Sequence, residues 1–406
     1  MHYNLLNFGS GGDCPSVSSK INYLNTITDH VLPDIVTVNE LKLNIENGKN
    51  TRADKILDEV FNDDSTYFER ALDTYISEGD LTNMVFYNSN KVGLISQNFI
   101  EKDVDNDFLT RGIDFYYMYH KDMVNSDTIF FMLVVAHLKA SDDEEYQRAK
   151  ETEAIMEYLN SNSVPQNIIL CGDLNFYTHN EDGFQNLIND GTTKLNDPVN
   201  QLGNWHNSST YKNYHTQATH TEQNCGASGG MNDRFDFILM SSAIMNNMDG
   251  MTYIPGSYTT LGQDGSFFNQ ALSVYGNSAV DALLASSLYN LSDHLPVIAE
   301  VYVDPLYTSV QQLRKNNKSI EVVNPVRQQE LYLKFQSGDY GFLLNKPIHY
   351  TIFSVDGRKV FETTELLSNL EMLLLLPELK NGLYFLQLES ENHRLERSKR
   401  LVILNH

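Results

Sequence analysis

Residues 167–177, NIILCGDLNFY, decide how the rest of the chain is read. Ile168, Ile169, Leu170 and Cys171 run straight into Gly172-Asp173-Leu174-Asn175, the pattern of a buried strand that stops at a polar turn. Residues two apart on a strand point the same way, so Asp173 and Asn175 are presented together at its carboxyl end. Taken alone, the stretch reads equally as ordinary turn punctuation, because Gly, Asp and Asn are common turn formers. What else the chain brings to strand ends decides between the two.

Outward from this strand, apolar and polar residues alternate in strand and helix periods. Tyr3 to Phe8 reads as a strand with Asn7 near its carboxyl end, and Ile35 to Glu40 as a second that ends in a carboxylate. Between them Ile21, Leu24, Ile27 and Val31 recur at helical spacing. Met84–Tyr87 with Val92–Ile95, and Phe115–Tyr119 with Ile129–Ala136, read as antiparallel pairs, the last strand running into His137. Ser141 to Glu144 has the form of a capping box, opening a helix with Tyr146, Ala149, Ile155, Tyr158 and Leu159 as its expected apolar stripe. Arg234 to Met240 is a strand carrying Asp236 among large apolar residues, where a carboxylate is costly unless paired. Asp293-His294 precedes a final strand expected over Leu295 to Val303, and a layered α/β domain ends near Asp304.

Length and composition set the frame. With 406 residues and 41% hydrophobic residues, two domains and a sizeable core are expected. The longest apolar run, Ile129 to Ala136, is far short of the roughly 20 residues that span a bilayer, and no transmembrane segment is predicted. Residues 319–406 hold 10 Lys+Arg against 11 Asp+Glu, so almost all of the −24 formal charge lies before them. An acidic surface repels polyanions and argues against a basic-patch nucleic-acid binder, but not against an enzyme that meets a phosphodiester through a divalent cation. Of three cysteines, Cys171 reads as a buried hydrophobe, while Cys14 and Cys225 in Gly-rich loops are candidates for one disulfide. MHYNLLNFG shows no signal peptide. The histidines His206, His215 and His220 lack zinc-ligand spacing and read as solvated loop residues.

Asn7, Glu40, His137, Asp173, Asn175, Asp236, Asp293 and His294 thus all stand at or near strand ends. Carboxylates at Glu40 and Asp293 are hard oxygen donors of the kind Mg2+ prefers. Asp236 paired with His294 would orient the imidazole and favour its protonated form. Asp173 is suited to orient or deprotonate a water, and Asn175 to donate a hydrogen bond to a phosphoryl oxygen.

In their order YNLLNF (3–8), VTVNE (36–40), AHLKA (136–140), GDLN (172–175), RFDFILMS (234–241) and SDHLPV (292–297), these segments resemble the endonuclease/exonuclease/phosphatase superfamily, whose fold is that of deoxyribonuclease I. The resemblance implies a four-layered α/β/β/α sandwich and a divalent-metal phosphoesterase site. It implies Glu40 as principal metal ligand with Asn7 and Asp293, Asp173 aligning the attacking water, and Asn175 binding phosphate. It further implies His294, held by Asp236, and His137 as phosphate contacts and acid-base groups, and Arg111 of LTRGIDF as a contact to substrate phosphate. Where the deoxyribonuclease-like branch has a carboxylate partner for the histidine matching His137, this chain reads Thr82-Asn83-Met84.

From Pro305 to Lys318 a polar connector follows, and residues 319–406 read as short strands between turns, a small all-β sandwich. Asn324-Pro325, IHYTIFSVDGRKV (348–360), NGLYFLQL (381–388) and SKRLVIL (398–404) resemble the carboxy-terminal sorting domain of the type IX secretion system of Bacteroidetes. That resemblance implies export to the medium or the cell surface, with type IX machinery as partner and the start of the precursor lying elsewhere than Met1. The expectation is a secreted, monomeric phosphodiesterase using Mg2+, with Ca2+ or Mn2+ as alternatives, and acting on extracellular DNA or RNA. The alternatives are a sphingomyelinase-like or phosphomonoester hydrolase, and a non-catalytic surface protein that retains the fold.

Overall fold

Two six-stranded sheets face each other, and the strand ends that carry His137, Asp173 and Asp236 lie along the seam between them. The computed structural model describes residues 1–10, 15–46, 48–63, 67–75, 79–121, 128–189, 193–222, 225–304, 320–335, 344–355, 357–390 and 393–404. They fall into two compact units, Met1–Tyr307 and Thr308–His406.

In the first sheet the order is Thr259–Thr260, Val297–Ile298, His2–Phe8, Ile35–Lys42, Leu81–Asn88 and Phe68–Arg70. In the second it is Leu195–Asn196, Asp236–Ser241, Ile168–Asp173, Ile129–His137, Phe108–His120 and Val92–Lys102. Each sheet has one parallel central pair, His2–Phe8 with Ile35–Lys42 and Ile129–His137 with Ile168–Asp173, and every other pairing is antiparallel. The parallel pairs need crossover helices. Val17–Val31 makes the first crossover, capped by Ser16, and packs beside Ala282–Leu291 with its apolar face in the first core. Glu145–Ser161 makes the second and packs with Asp182–Asn189 over a separate core that includes Phe176, Phe184, Trp205 and Phe237. The layers are therefore helix, sheet, sheet, helix.

Strand alternation assigns the faces. Phe131, Leu133 and Val135 of one strand, Cys171 of the next and Ile238 and Met240 of the third all belong to the core that includes the inter-sheet layer. Continuing the same period-two faces leads to His137, Asp173 and Asp236. On the facing sheet His2, Asn4, Thr37 and Asn39 point into the same seam, as their contacts across it to Asp236, Asp173 and Cys171 show. Gly172 allows the close approach of the two central strands: a Cβ there would lie 1.9 Å from the Ala136 carbonyl oxygen.

Three expectations change. The helix at Glu145–Ser161 has no serine cap; Ser141 adopts φ +94°, and the entry is tied instead by Arg148 Nη1 donating to the carbonyls of Lys139 and Ser141. Its buried face carries Arg148 and Glu151, while Tyr146 of the expected stripe is 72% exposed. Burial of these charges is sustained by pairing, Arg148 with Glu181 and Glu151 with the Lys139 amide. The expected final strand splits into Val297–Ile298 and Val301–Val303, because Ser257 Oγ takes the Glu300 N–H and hands the chain on to Met251–Tyr253.

The second unit is all-β. Glu321–Val322, Glu330–Lys334 and Glu371–Leu375 form one antiparallel sheet, and Lys359–Leu366, Pro347–Ser354, Gly382–Ser390 and His393–Ile403 a second. A single core that includes Leu331, Tyr350, Ile352, Leu386 and Leu401 lies within the unit. The connector expected at 305–318 lies outside the described residues, as does Cys14 of the candidate disulfide.

Candidate active site

Strand register sets three of the side chains in one row. Asp173 pairs with His137 on one side and with Asp236 on the other. On the facing sheet Asn4 pairs with Asn39, one residue before Glu40. The two rows meet across the seam: Asn4 Nδ2 donates to Asp173 Oδ2 at 3.0 Å and to Glu40 Oε1 at 3.1 Å. The Asp173 backbone N–H donates to Asn39 Oδ1 at 2.9 Å. Asn39 Nδ2 donates in turn to Asn83 Oδ1 at 2.7 Å, and Asn83 Nδ2 to Asp114 Oδ2 and the Gly112 carbonyl, each at 2.9 Å. A chain of amides thus fastens the floor of the site to both sheets, the donors from the Asp173 N–H through Asn39 and Asn83 all pointing away from Asp173.

Around Asp173 stand two histidines in opposite states. His137 Nε2 lies 3.3 Å from Asp173 Oδ2 and 3.9 Å from Glu40 Oε1. Burial, reinforced by the charges of Arg111, His294 and His2, pushes its pKa well below the usual imidazole range, so His137 is neutral. His294 Nδ1 lies 2.7 Å from Asp236 Oδ2, and its Nε2 3.6 Å from Asp173 Oδ2. Burial works against its charge, but Asp236, Asp173 and Asp293 outweigh it and hold the imidazole protonated. Asp236 is fully buried; desolvation would raise its pKa, yet His294 and His2 hold it well below the carboxylate range. Burial pushes Asp173 up to about 6, with Asp236 and Glu40 adding to the rise and His294 opposing it.

The other expected residues surround this centre. Asn175, at φ +52°, bonds its amide N–H to Asp173 Oδ1 and donates Nδ2 to the Leu138 carbonyl. Arg111 Nη1 reaches the same carbonyl at 3.3 Å. Asp293 Oδ2 accepts from Gln217 Nε2 and from the Ala227 N–H at 2.7 Å, an approach that a Cβ on Gly226 would block. Asn7 reaches Glu40 Oε2 through its backbone N–H, 2.8 Å away.

Two residues absent from the sequence reading contribute directly. Asn4, fully buried, is the side chain that bridges the carboxylates. Gln217 Nε2 contacts both Asp293 Oδ2 and His294 Nε2, at 3.0 and 2.7 Å. The alternation of polar His2 and Asn4 with apolar Tyr3 and Leu5 is the signal that marks Asn4. Of the loop histidines, His215 and His220 are buried rather than solvated; both His215 ring nitrogens meet backbone carbonyls, and His220 packs on Tyr289.

Among the described residues no group of three or more His, Cys, Asp and Glu is disposed as a complete metal-ligand set. The oxygen donors nevertheless fit a hard divalent cation. Glu40 and Asp173 converge on one neutral amide, and Asp293 Oδ1 is buried with no hydrogen-bond partner among the described residues. The Glu40 side chain is 15% exposed against 3% for Asp173, so it is the carboxylate open to solvent.

Residues 324–404 match the model of the secretion system C-terminal sorting domain, which supports export to the medium or the cell surface. No curated protein matches the chain. Among solved structures, D. rerio TDP2 complexed with single strand DNA product is 13% identical, with a TM-score of 0.47 over 74% of this chain and 97% of that one. The human Nocturnin catalytic domain with bound sulfate anion is 12% identical, with a TM-score of 0.46 over 74% and 91%. An endonuclease/exonuclease/phosphatase family protein from Bacteroides thetaiotaomicron is 13% identical, with a TM-score of 0.45 over 75% and 94%. Each is a likeness of fold alone. No helix among the described residues is long and apolar enough to cross a membrane.

Proposed function

We propose that residues 1–304 form a divalent-metal-dependent phosphoester hydrolase, exported by way of the sorting domain, that cleaves nucleic-acid phosphodiesters. The observation that supports this reading is the convergence on Asp173 Oδ2 of Asn4 Nδ2, His137 Nε2 and His294 Nε2 at 3.0, 3.3 and 3.6 Å, with Asp236 behind His294. Glu40 and Asp293 would hold the cation, with Asn4 fixing the Glu40 carboxylate. Bound there, Mg2+, Ca2+ or Mn2+ would neutralise charge developing on the phosphoryl group.

The chain's own groups divide the remaining work. Asp173, poised near 6, accepts a proton from the attacking water while its backbone is fixed by Asn39. The water oxygen bonds to phosphorus as the opposite P–O ester bond breaks in line. His294, protonated and aimed by Asp236, supplies a proton to the departing oxygen. The second hydrogen of Asn175 Nδ2, with Arg111 on the same side, binds a non-bridging oxygen. Neutral His137 adds a hydrogen bond without adding charge.

The test is hydrolysis of DNA, RNA, sphingomyelin and a simple phosphomonoester, with and without chelator, by wild type, Asp173→Ala and His294→Ala. Metal-dependent cleavage of nucleic acid, lost in both variants, is expected. Activity surviving both substitutions would overturn the mechanism. Absence of activity on every substrate would favour a binding protein that retains the fold. The concentration of negative charge before residue 319 is the reason sphingomyelin and the monoester belong in the panel.

A further inference from the structure

Two independent connections lead from the catalytic centre to one half-exposed histidine. Along the first, the chain runs from Asn175 through buried Phe176 to half-buried Tyr177, whose carbonyl accepts from the His206 N–H at 3.1 Å. Along the second, Gln217 is bridged by backbone bonding to His294 on one side and to Asp233 on the other. Asp233 Oδ1 then lies 2.7 Å from His206 Nδ1. The imidazole, 49% exposed, is therefore tied to the centre along both routes, and the charge of His294 acts on its Asp233 partner.

The wall it belongs to is packed on several sides. Arg148, fully buried and paired with Glu181, lies 5.5 Å from the centre of the Tyr177 ring. Phe235 and His206 both meet Tyr177 edge to face, at 5.0 and 5.3 Å between ring centres. With Nδ1 engaged by Asp233, the His206 ring has a fixed orientation. Two planar rings held in place and partly exposed next to a phosphoester site offer a stacking platform, which accepts any base because every base has a π-face.

The local charge separates the two groups that such a wall could receive. Burial, and next the Asp233 carboxylate, push the Tyr177 hydroxyl up to about 12; Arg148, itself paired with Glu181, opposes the rise, and Asp142 and Glu181 add to it. A second phosphate would meet these carboxylates; a neutral ring would not.

We propose that Tyr177 and His206, the latter oriented by Asp233, form a nucleobase subsite that selects nucleoside phosphoesters over simple alkyl ones. This inference rests on the phosphoesterase reading and specifies its substrate. Stacking on such platforms corresponds to preferences on the order of tenfold.

Two chromogenic diesters with the same leaving group test it: thymidine 5′-(p-nitrophenyl phosphate) and methyl p-nitrophenyl phosphate. Wild type is expected to prefer the thymidine ester in kcat/KM by about tenfold. His206→Ala and Tyr177→Ala should each lower the ratio of the two substrates severalfold, and His206→Phe, which keeps a ring, should restore it. A wild-type ratio near one, or variants that lose both substrates in equal proportion, overturns the subsite while leaving phosphoesterase activity established. If neither ester is hydrolysed, the activity itself fails, and binding of a 2-aminopurine nucleotide decides the subsite. Fluorescence quenching lost in Tyr177→Ala supports it, and no quenching by wild type removes it.

Discussion

Asn4 and Asp173, 169 positions apart and on different sheets, are joined by a 3.0 Å hydrogen bond from amide to carboxylate. The same nitrogen reaches Glu40 at 3.1 Å, so one neutral side chain sets the spacing of two acidic ones. Asn4→Ala should lower kcat about a hundredfold, the typical effect of deleting one preorganised donor. Asn7→Ala, which leaves the backbone N–H on Glu40 in place, should stay within about threefold of wild type. Steady-state kinetics on the preferred diester separate the two, and equal losses would contradict the assignment of Asn4.

Asp236 and His294 form the fully buried ion pair of the site. Asp236→Asn keeps the shape but removes the charge that holds His294 protonated, and should cost about a hundredfold or more in kcat. Asp236→Ala leaves Nδ1 of the buried His294 without its carboxylate and should also cost about 3–5 kcal/mol of stability. Chemical denaturation beside kinetics tests both, and a fully active Asp236→Asn would contradict the role of the pair.

Asp114 supplies a pH test away from the reacting atoms. Burial raises its pKa to about 7 against the opposing hydrogen bonds of Asn83 and Thr74. The native state therefore keeps the proton at pH values where the unfolded chain has lost it. Stability from this group is full below the ordinary value near 3.8 and is lost as pH rises to about 7. The gap corresponds to roughly 4 kcal/mol. Between pH 4 and pH 8 wild type should lose more stability than Asp114→Asn by an amount of this order, read from guanidinium midpoints. Parallel pH profiles would show that Asp114 does not titrate in this way.

Gly172 is fixed by contact. Its Cβ position is 1.9 Å from the Ala136 carbonyl oxygen, a backbone atom that cannot move aside without breaking the central ladder. Gly172→Ala should destabilise the protein by about 3 kcal/mol or more, seen as a lower denaturant midpoint at unchanged slope. An unchanged midpoint would mean that the two strands stand farther apart.

For the carboxy-terminal unit the prediction concerns location. Fused to a reporter and expressed in a host with the type IX system, residues 319–406 should carry the reporter to the surface or the medium, and a fusion without them should remain inside. Equal export would remove the sorting role from the stretch matched at 324–404.

What was legible in the sequence followed from periodicity and from turns. Strand alternation leads Asp173, Asp236 and His137 to the same face, and a polar side chain at a strand end is visible without any structure. Asn4 lies inside a strand and carries no turn signal, whereas Asn7 stands beside the turn. The chain enters the left-handed region at Leu6 and Asn7, φ +49° and +50°, and there the Asn7 backbone N–H, rather than its side chain, meets Glu40. The ties of His206 to Asp233 and of Arg148 to Glu181 span 27 and 33 residues and carry no local signature. A charge at a helix position reads as solvated until its partner is known, and for that reason periodicity favours Tyr146 over Arg148 for the buried face.

The seam gathers its groups from both ends of the first unit: Asn4 from the opening strand, and His294 from a segment whose Ser292 hydroxyl donates to the Asn4 carbonyl. During synthesis the amino-terminal strand must therefore wait for residues made almost three hundred positions later before the catalytic groups can meet. A chain that stops short of His294 lacks part of the constellation around Asp173, so the site is completed only when the last segment of the unit is made.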